Sequence, residues 1–527
     1  MLTLFCFVAA AITLVASLDI SIPSTAPSNA STVAPDYISF SIEQDHWTDW
    51  VGPDKQSKNE FFFNALENIV QLTGVPPRFR IGADSEDRTD FQPGLEFTEE
   101  TNFPPSAATP YAEASNITVG EAFYLAAQNL PPDTHVTWGV NFKSDNITAA
   151  FLEAQAIGDA FNSFPPSSGL VLDAIEIGNE PNLYSSGGKY RPENYSIEDY
   201  ASEWTSFATN ISAAVSIPGR FWGGSFAGSA THNATGFAPQ GLFSTGILST
   251  SPGKQIKTFS QHFYNMGGGL DCGTIPSCIQ GLMSKAHVRG NLTQWIPDIA
   301  VVKAQGLSYV FGETNTFTAH GLSNVSNSAG AALWVLDDVF YASQLGVDRH
   351  YFHEGVGYKY NFIQPVTLNV SITDGTPLNP PLPPHVQPAY YAAIVAAEAI
   401  GSDGGTRVSE LSINSSTVSG YAFFTSGGQL TKALFINSES FFSGTSPANR
   451  TSVHLDLDIS GTKAPLSMAV KRLVIGHADD TSGLTWGGQT YETPDAKIGG
   501  TPSVETSDVS AGIDIPATQA VLVSFES

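Results

Sequence analysis

The sequence predicts a (β/α)₈ TIM barrel followed by a C-terminal β-sandwich. Eight strand-like runs alternate with helix-like runs between residues 37 and 400, polar residues collect where those strands end, and beyond Gly401 the texture changes to short alternating runs. A parallel barrel closes at eight strands, which favours it over an open doubly wound sheet.

The elements follow in order. Residues 18–36, rich in Ser, Thr, Pro and Ala, read as a leader that is either a linker or an edge strand of the β-sandwich. Residues 37–43 alternate as the first strand and end in Glu43. Residues 59–74 place Phe61, Phe62, Leu66, Ile69 and Val70 at helical spacing. Residues 77–83 form the second strand, running into Asp84. A helix over 118–128, a third strand over 135–142 and a helix over 147–162 come next. The fourth strand, from residue 171, delivers Asn179 and Glu180 ahead of Pro181. Ser196 and Asp199 have the spacing of a capping box for the helix that carries Trp204 and Phe207. Strands five and six fall at 220–225 and 257–264. A helix over 295–305 leads to the seventh strand, which ends in Glu313; a helix over 329–345, the eighth strand at 349–354 and an Ala-rich helix over 388–400 complete the barrel. In residues 401–527, runs at 418–425, 430–436, 453–459, 468–475 and 520–525 are separated by Gly, Ser and Thr turns, as in a β-sandwich.

Composition narrows the setting. With 23 basic and 50 acidic residues the formal charge is −27, which makes nucleic acid and anionic membranes poor partners. Residues 1–17 form an apolar run ending in small residues, expected to be a secretory signal peptide, with a membrane anchor as the alternative. The mature chain is then expected to be secreted, extracellular, free of the membrane and monomeric. Sequons at Asn29, Asn116, Asn146, Asn194, Asn210, Asn233, Asn291, Asn324, Asn369, Asn414 and Asn449 are candidate glycosylation sites in that setting. Cys6 would leave with the signal. Cys272 and Cys278 remain, expected as a disulfide in an oxidising compartment, with two free thiols as the alternative. His262 and His287 lack the spacing to complete a zinc site with them. Gly267-Gly268-Gly269 lacks the Lys-Ser/Thr of a phosphate loop. No Lys/Arg cluster stands out along the chain.

Glu43, Asp84, Asn141, Asn179, Glu180, Tyr264, Glu313 and Glu354 all fall at strand C-termini, the face on which barrel enzymes build their sites. Glu180 on strand four and Glu313 on strand seven could flank one bond. Two carboxylates serve glycoside hydrolysis because one protonates the leaving oxygen while the other attacks or assists at the anomeric carbon. Asn179 is placed to bond a sugar 2-hydroxyl and Tyr264 to orient the nucleophile. Glu176 is read as scaffold and Lys359 as solvated.

These stretches resemble glycoside hydrolase family 79, the retaining β-glucuronidases and heparanases, and look closest to its secreted fungal β-glucuronidase-like members. The resemblance rests on Ser39-Phe40-Ser41-Ile42-Glu43, Arg80-Ile81-Gly82, Ile177-Gly178-Asn179-Glu180-Pro181-Asn182, His262-Phe263-Tyr264, Phe311-Gly312-Glu313-Thr314-Asn315 and the segment from Phe352 through Asn361. It implies Glu180 as acid/base, Glu313 as nucleophile and Asn179 as the 2-hydroxyl partner. It further implies Glu43 as a contact to sugar hydroxyls and Tyr360 as a contact to the sugar carboxylate. The loop after Glu313 departs from the family pattern, although Gly321 can still offer an amide. The expected activity is exo-β-glucuronidase, releasing terminal glucuronic acid, 4-O-methylated or not, from glycans or glycoconjugates without metal or organic cofactor. The alternatives are a heparanase-like endo-β-glucuronidase or another β-glycosidase, and a carbohydrate-binding barrel without turnover.

Overall fold

The computed structural model describes residues 16–54, 56–215, 221–228, 235–266, 272–460 and 465–526. Eight parallel strands close into a barrel in sequence order: β1 (Ile38–Glu43), β2 (Phe79–Gly82), β3 (His135–Val140), β4 (Val171–Ile177), β5 (Phe221–Ala227), β6 (Ile256–Met266), β7 (Ser308–Phe317) and β8 (Arg349–Glu354). β8 pairs with β1 through Phe352 and Phe40, and β4 meets β5 at Ile175 and Phe221. Strands covered by helices outside and filled inside are buried on both faces, so β1 and β2 are buried at every position. Ala174, Trp222, Val310 and Tyr351, from β4, β5, β7 and β8, pack as a separate small cluster. The Trp222 and Tyr351 rings meet at 5.0 Å although β5 and β8 are not neighbours, so this contact crosses the barrel interior and fills its lower half.

The main outer helices are α1 (Glu60–Thr73), α2 (Ile147–Ser163), α3 (Ile197–Ala214), α4 (Ile296–Ala304), α5 (Ala329–Leu345) and α6 (Pro388–Ile400). Asn59 caps α1 by accepting from the Phe62 amide at 3.1 Å, and Gly74 ends it at φ +73°, a conformation glycine adopts without a Cβ penalty. Ser196 and Asp199 form the capping box of α3. α5 and α6 are buried on nearly every face, because the C-terminal β domain covers the side turned away from the barrel. Phe340 of α5 meets Phe423 of that domain at 5.0 Å, and Arg289 bonds both Asp337 and Glu410 at 2.6 Å.

The helix expected over 118–128 is shorter, Glu121–Leu125 with a tighter turn through Asn129, because Ala114–Val119 is a strand. That strand joins Thr89–Phe91 and Thr98–Asn102 in a small sheet inserted between β2 and β3. Thr98–Asn102 is charged and exposed and carries no apolar alternation, and Ala114–Val119 offers only Ile117 and Val119 as an alternating pair, too short a run to stand out.

The C-terminal β domain has one large sheet and a three-stranded one, with Val418–Phe424, Leu430–Asn437, Gln519–Glu526 and Ser467–Val474 adjacent in the former. The leader joins both. Ser31–Thr32 pairs with Arg407–Glu410, and Ala16–Pro23 runs parallel along Ser452–Ser460, burying Ile20 and Ile22 between the sheets. This leader strand includes Ala16 and Ser17, where the signal was expected to end; the rest of that segment, Cys6, Arg220, Asn233 and Gly267 to Gly269 lie outside the described residues. No described helix is long and apolar enough to cross a membrane.

Candidate active site

The C-terminal ends of β1, β2, β4, β6, β7 and β8 border a pocket of about 440 Å³ lined by Glu43, Asp84, Glu180, Tyr264, Glu313 and Tyr360, together with Glu113, His262, His320 and His353. A larger, more apolar cavity of about 520 Å³, walled by Leu368, Leu382 and Val386, lies away from these strand ends and holds a single carboxylate, Glu492.

Glu180 enters the pocket on a left-handed residue, φ +50° and ψ +48°, a conformation costly for a residue with a Cβ. Its amide donates to the Ser225 carbonyl at 3.0 Å and Pro181 fixes the following turn, so both neighbours hold the strained position. The His262 Nδ1 lies 2.9 Å from Glu180 Oε1. An oxygen of Glu180, a ring nitrogen of His262 and an oxygen of Glu313 all lie within 4.8 Å of one another, the one group among the described residues with metal-ligand spacing. Arg80 already supplies positive charge there.

Glu313 is held from several sides. The Tyr264 hydroxyl donates to its Oε1 at 2.7 Å, and Arg80 Nη1 donates to its Oε2 at 2.7 Å. Burial alone would raise its pKa, but the charges of His353, His262 and Arg80 and the Tyr264 bond hold it well below the usual carboxylate range. Burial, then the charge of Glu313, push the Tyr264 phenol well above its ordinary value, so it stays a donor.

Arg80 is fully buried and organises the floor of the site. Its Nε bonds Glu176 at 2.5 Å, Nη2 bonds Asn179 Oδ1 at 2.8 Å, and Ser41 accepts from Nη1 at 3.1 Å. Glu176 also accepts from the Ser225 hydroxyl, so it holds Arg80 in place. Glu86 lies 3.6 Å from Arg80; burial and then the Glu176 charge push its carboxyl well up, against the pull of Arg80. A Cβ at Gly139 would stand 1.9 Å from Glu86, so glycine there makes its room.

Asn179 also donates to Asp84 at 3.1 Å, which fixes its amide orientation. Glu43 accepts from the Ser85 amide at 3.0 Å and from its hydroxyl, and lies 3.3 Å from His353 Nε2. Burial would lower the His353 pKa, but Glu313 and Glu43 raise it to about 9. In the loop after β7, His320 has φ +65°, stacks on Tyr358 at 4.0 Å and bonds Glu113. Burial would raise Glu113, yet the His320 bond and charge bring it down to about 2. Gly321 is not on the pocket wall; a Cβ there would sit 3.0 Å from Tyr360, so it seats that ring.

Asn141 and Glu354 turn away from the pocket. Asn141 donates to the Thr89 carbonyl at 3.1 Å, and Glu354 accepts from the Phe362 and Ile363 amides. Lys359, expected in solvent, is buried and donates to the Ala108 carbonyl at 2.8 Å, in the loop between Thr98–Asn102 and Ala114–Val119. Arg80, His262 and His353 lie in stretches that carry the resemblance but had no role assigned there, and Glu113 and His320 lie outside those stretches; the charge of Arg80 inside an otherwise apolar strand was the further local signal. Cys272 and Cys278 form a disulfide with Cα atoms 5.2 Å apart. Of the sequons, Asn29, Asn116, Asn146, Asn194, Asn210, Asn324, Asn369, Asn414 and Asn449 are exposed, whereas Asn291 is half-buried and donates to Asn265.

Residues 420–522 match the glycosyl hydrolase family 79 C-terminal beta domain. A beta-glucuronidase of Neurospora crassa is 27% identical over 526 residues, covering 91% of this chain and 88% of its own; one of Aspergillus niger is 27% identical over 548 residues, covering 97% and 94%. The crystal structure of a 4-O-alpha-L-rhamnosyl-beta-D-glucuronidase from Fusarium oxysporum superposes with a TM-score of 0.77 at 22% identity, covering 96% of this chain and all of that one. A family 51 arabinofuranosidase from Xanthomonas axonopodis shares the fold at a TM-score of 0.61 and 13% identity, covering 97% and 100%. With a (β/α)₈ barrel that presents this pocket and the family 79 β domain packed behind it, the chain is an O-glycoside hydrolase related to glycoside hydrolase family 79.

Proposed function

We propose that the chain is a secreted, retaining exo-β-glucuronidase in which Glu313 is the nucleophile and Glu180 the acid/base. The observation that carries this is that one oxygen of Glu180 and one oxygen of Glu313 lie within 4.8 Å of each other in one pocket at the barrel's C-terminal face, which brings the two carboxyl groups close to the shorter of the two known separations. Retaining pairs stand roughly 5 to 5.5 Å apart, whereas inverting pairs stand about 6.5 to 9.5 Å apart to admit a water. The names of the Neurospora crassa and Aspergillus niger relatives support the sugar assignment.

Glu313, ionised beneath Arg80, attacks the anomeric carbon while Glu180 gives its proton to the leaving oxygen. The C–O bond to the leaving group breaks and a glycosyl ester forms on Glu313. Glu180 then takes a proton from water, which attacks the same carbon and releases Glu313. His262, bonded to Glu180, keeps that carboxyl aimed at the leaving oxygen. Asn179, held by Arg80 and Asp84, meets the sugar 2-hydroxyl, Glu43 meets ring hydroxyls, and Tyr360 with the 318–320 loop faces the uronate. The Glu113–His320 bridge, stacked on Tyr358, bounds the pocket and supports exo action on terminal glucuronic acid, with or without a 4-O-methyl group.

A chromogenic panel of β-glucuronide, β-glucoside and β-galactoside across acidic pH tests the reading. Wild type should release aglycone from the glucuronide, and Glu180→Ala and Glu313→Ala should each lose at least about a thousandfold. Release from none of the three would remove the enzyme reading.

A further inference from the structure

The mouth of the pocket is not uniformly acidic. Leu183, in the loop that leaves Glu180, lines the pocket and is 51% exposed, and Tyr190, farther along the same loop, is 44% exposed. The loop closes on itself where the Arg191 amide donates to the Tyr184 carbonyl at 3.1 Å, so Tyr190 stands beside the base of Leu183's turn. Around it gather its neighbour Lys189 and side chains distant in sequence. Lys143 Nζ lies 4.9 Å from the Tyr190 ring centroid and 5.4 Å from that of Tyr184, and Lys189 Nζ lies 4.7 Å from the Tyr190 ring. Arg88 adds its charge from the helical turn after β2.

Lys143 also lends its charge to the buried Asp87 and to Asp84, although neither carboxylate comes within 4.0 Å of its ammonium. Asp84 faces Arg88 at 3.3 Å and Asp145 faces Arg191 at 3.7 Å. Glu193, beside Gly188, reaches neither lysine within 4.0 Å, and among the described residues no carboxylate pairs with Lys143 or Lys189. In a chain of charge −27, two ammonium groups gathered at an exposed tyrosine, one of them bonded to its hydroxyl and neither within 4.0 Å of a carboxylate among the described residues, form a local positive field.

This inference rests on the glucuronidase reading above. The general acid must stand at the leaving oxygen, so the loop that carries Glu180 borders the departing group rather than the glucuronic acid. We infer that Leu183, Tyr190, Lys143 and Lys189 form a leaving-group subsite for an acidic saccharide unit. Leu183 and Tyr190 cover the apolar face of that sugar, and the two lysines meet its anion.

The test compares two matched disaccharides, glucuronic acid β-linked to galactose and β-linked to galacturonate, with wild type and with Lys143→Gln/Lys189→Gln. Wild type should favour the galacturonate compound in kcat/KM by about threefold to tenfold at low salt. That ratio should shrink towards one in the variant and as salt rises to about 0.5 M. Equal cleavage of both compounds by wild type, or a preference untouched by the double substitution, overturns the subsite while leaving the glucuronidase reading intact. Release of glucuronic acid from neither compound overturns the subsite, and overturns the glucuronidase reading as well when the chromogenic β-glucuronide is also left intact.

Discussion

Arg80 Nη1 lies 2.7 Å from Glu313 Oε2 with the guanidinium fully buried, and the same side chain bonds Glu176 and Asn179. One cation thus fixes the proposed nucleophile and the proposed 2-hydroxyl partner together. Removing one partner of a buried ion pair leaves the other charge uncompensated. Arg80→Met should therefore lower stability by about 3 to 5 kcal/mol in urea unfolding. A variant as stable as wild type would show that Glu176 and Glu313 find other compensation.

The Tyr264 hydroxyl is the neutral donor to Glu313. Tyr264→Phe deletes one hydrogen bond to a carboxylate and leaves the ring, so kcat should fall by about a hundredfold with a smaller change in KM. Because that bond lowers the Glu313 pKa, the acid limb of kcat/KM should also move to higher pH. An unmoved acid limb would detach Tyr264 from the ionisation of Glu313.

His353 and Glu113 predict how stability varies with pH. The His353 pKa is raised from 6.5 to about 9 in the folded chain, so its contribution is complete below about 6.5 and is lost as pH rises to about 9. Glu113 is lowered from 4.5 to about 2, so its contribution is present above about 4.5 and is lost as pH falls to about 2. Thermal melting should be highest between these windows. His353→Asn should flatten the alkaline side, and an identical alkaline slope would contradict the assignment.

His320 occupies the loop after Glu313, where it meets Glu113 and faces the pocket beside Tyr360. If this loop reads the uronate, His320→Gln should lower the kcat/KM ratio of 4-nitrophenyl β-glucuronide to β-glucoside by about tenfold. An equal loss on both substrates would mark His320 as a support for the loop alone.

The barrel was legible because each strand is a short apolar run ending in a polar residue, and because helices such as α1 and α3 carry their own caps. Lengths shifted only where a neighbour intruded, as at Glu121–Leu125 behind the strand Ala114–Val119. Glu180 and Glu313 stood out since both break an apolar run at a strand end. Arg80, His262 and His353 did not, because their roles depend on contacts across the barrel that no local period records. The same holds for Lys143 and Lys189, which come from different loops and form a positive patch only after β3 and β4 are paired. Lys359 misled for the opposite reason: lysine is ordinarily solvated, and the loop that receives it, between Thr98–Asn102 and Ala114–Val119, has no apolar pattern of its own.

The proposed double displacement is tested most directly by proton NMR of the sugar first released from an aryl β-glucuronide, recorded before mutarotation. The closeness of Glu180 and Glu313 predicts β-glucuronic acid as the initial product, with the α anomer growing in later. α-Glucuronic acid appearing first would contradict a covalent intermediate on Glu313 and turn the pair into the acid and base of an inverting enzyme.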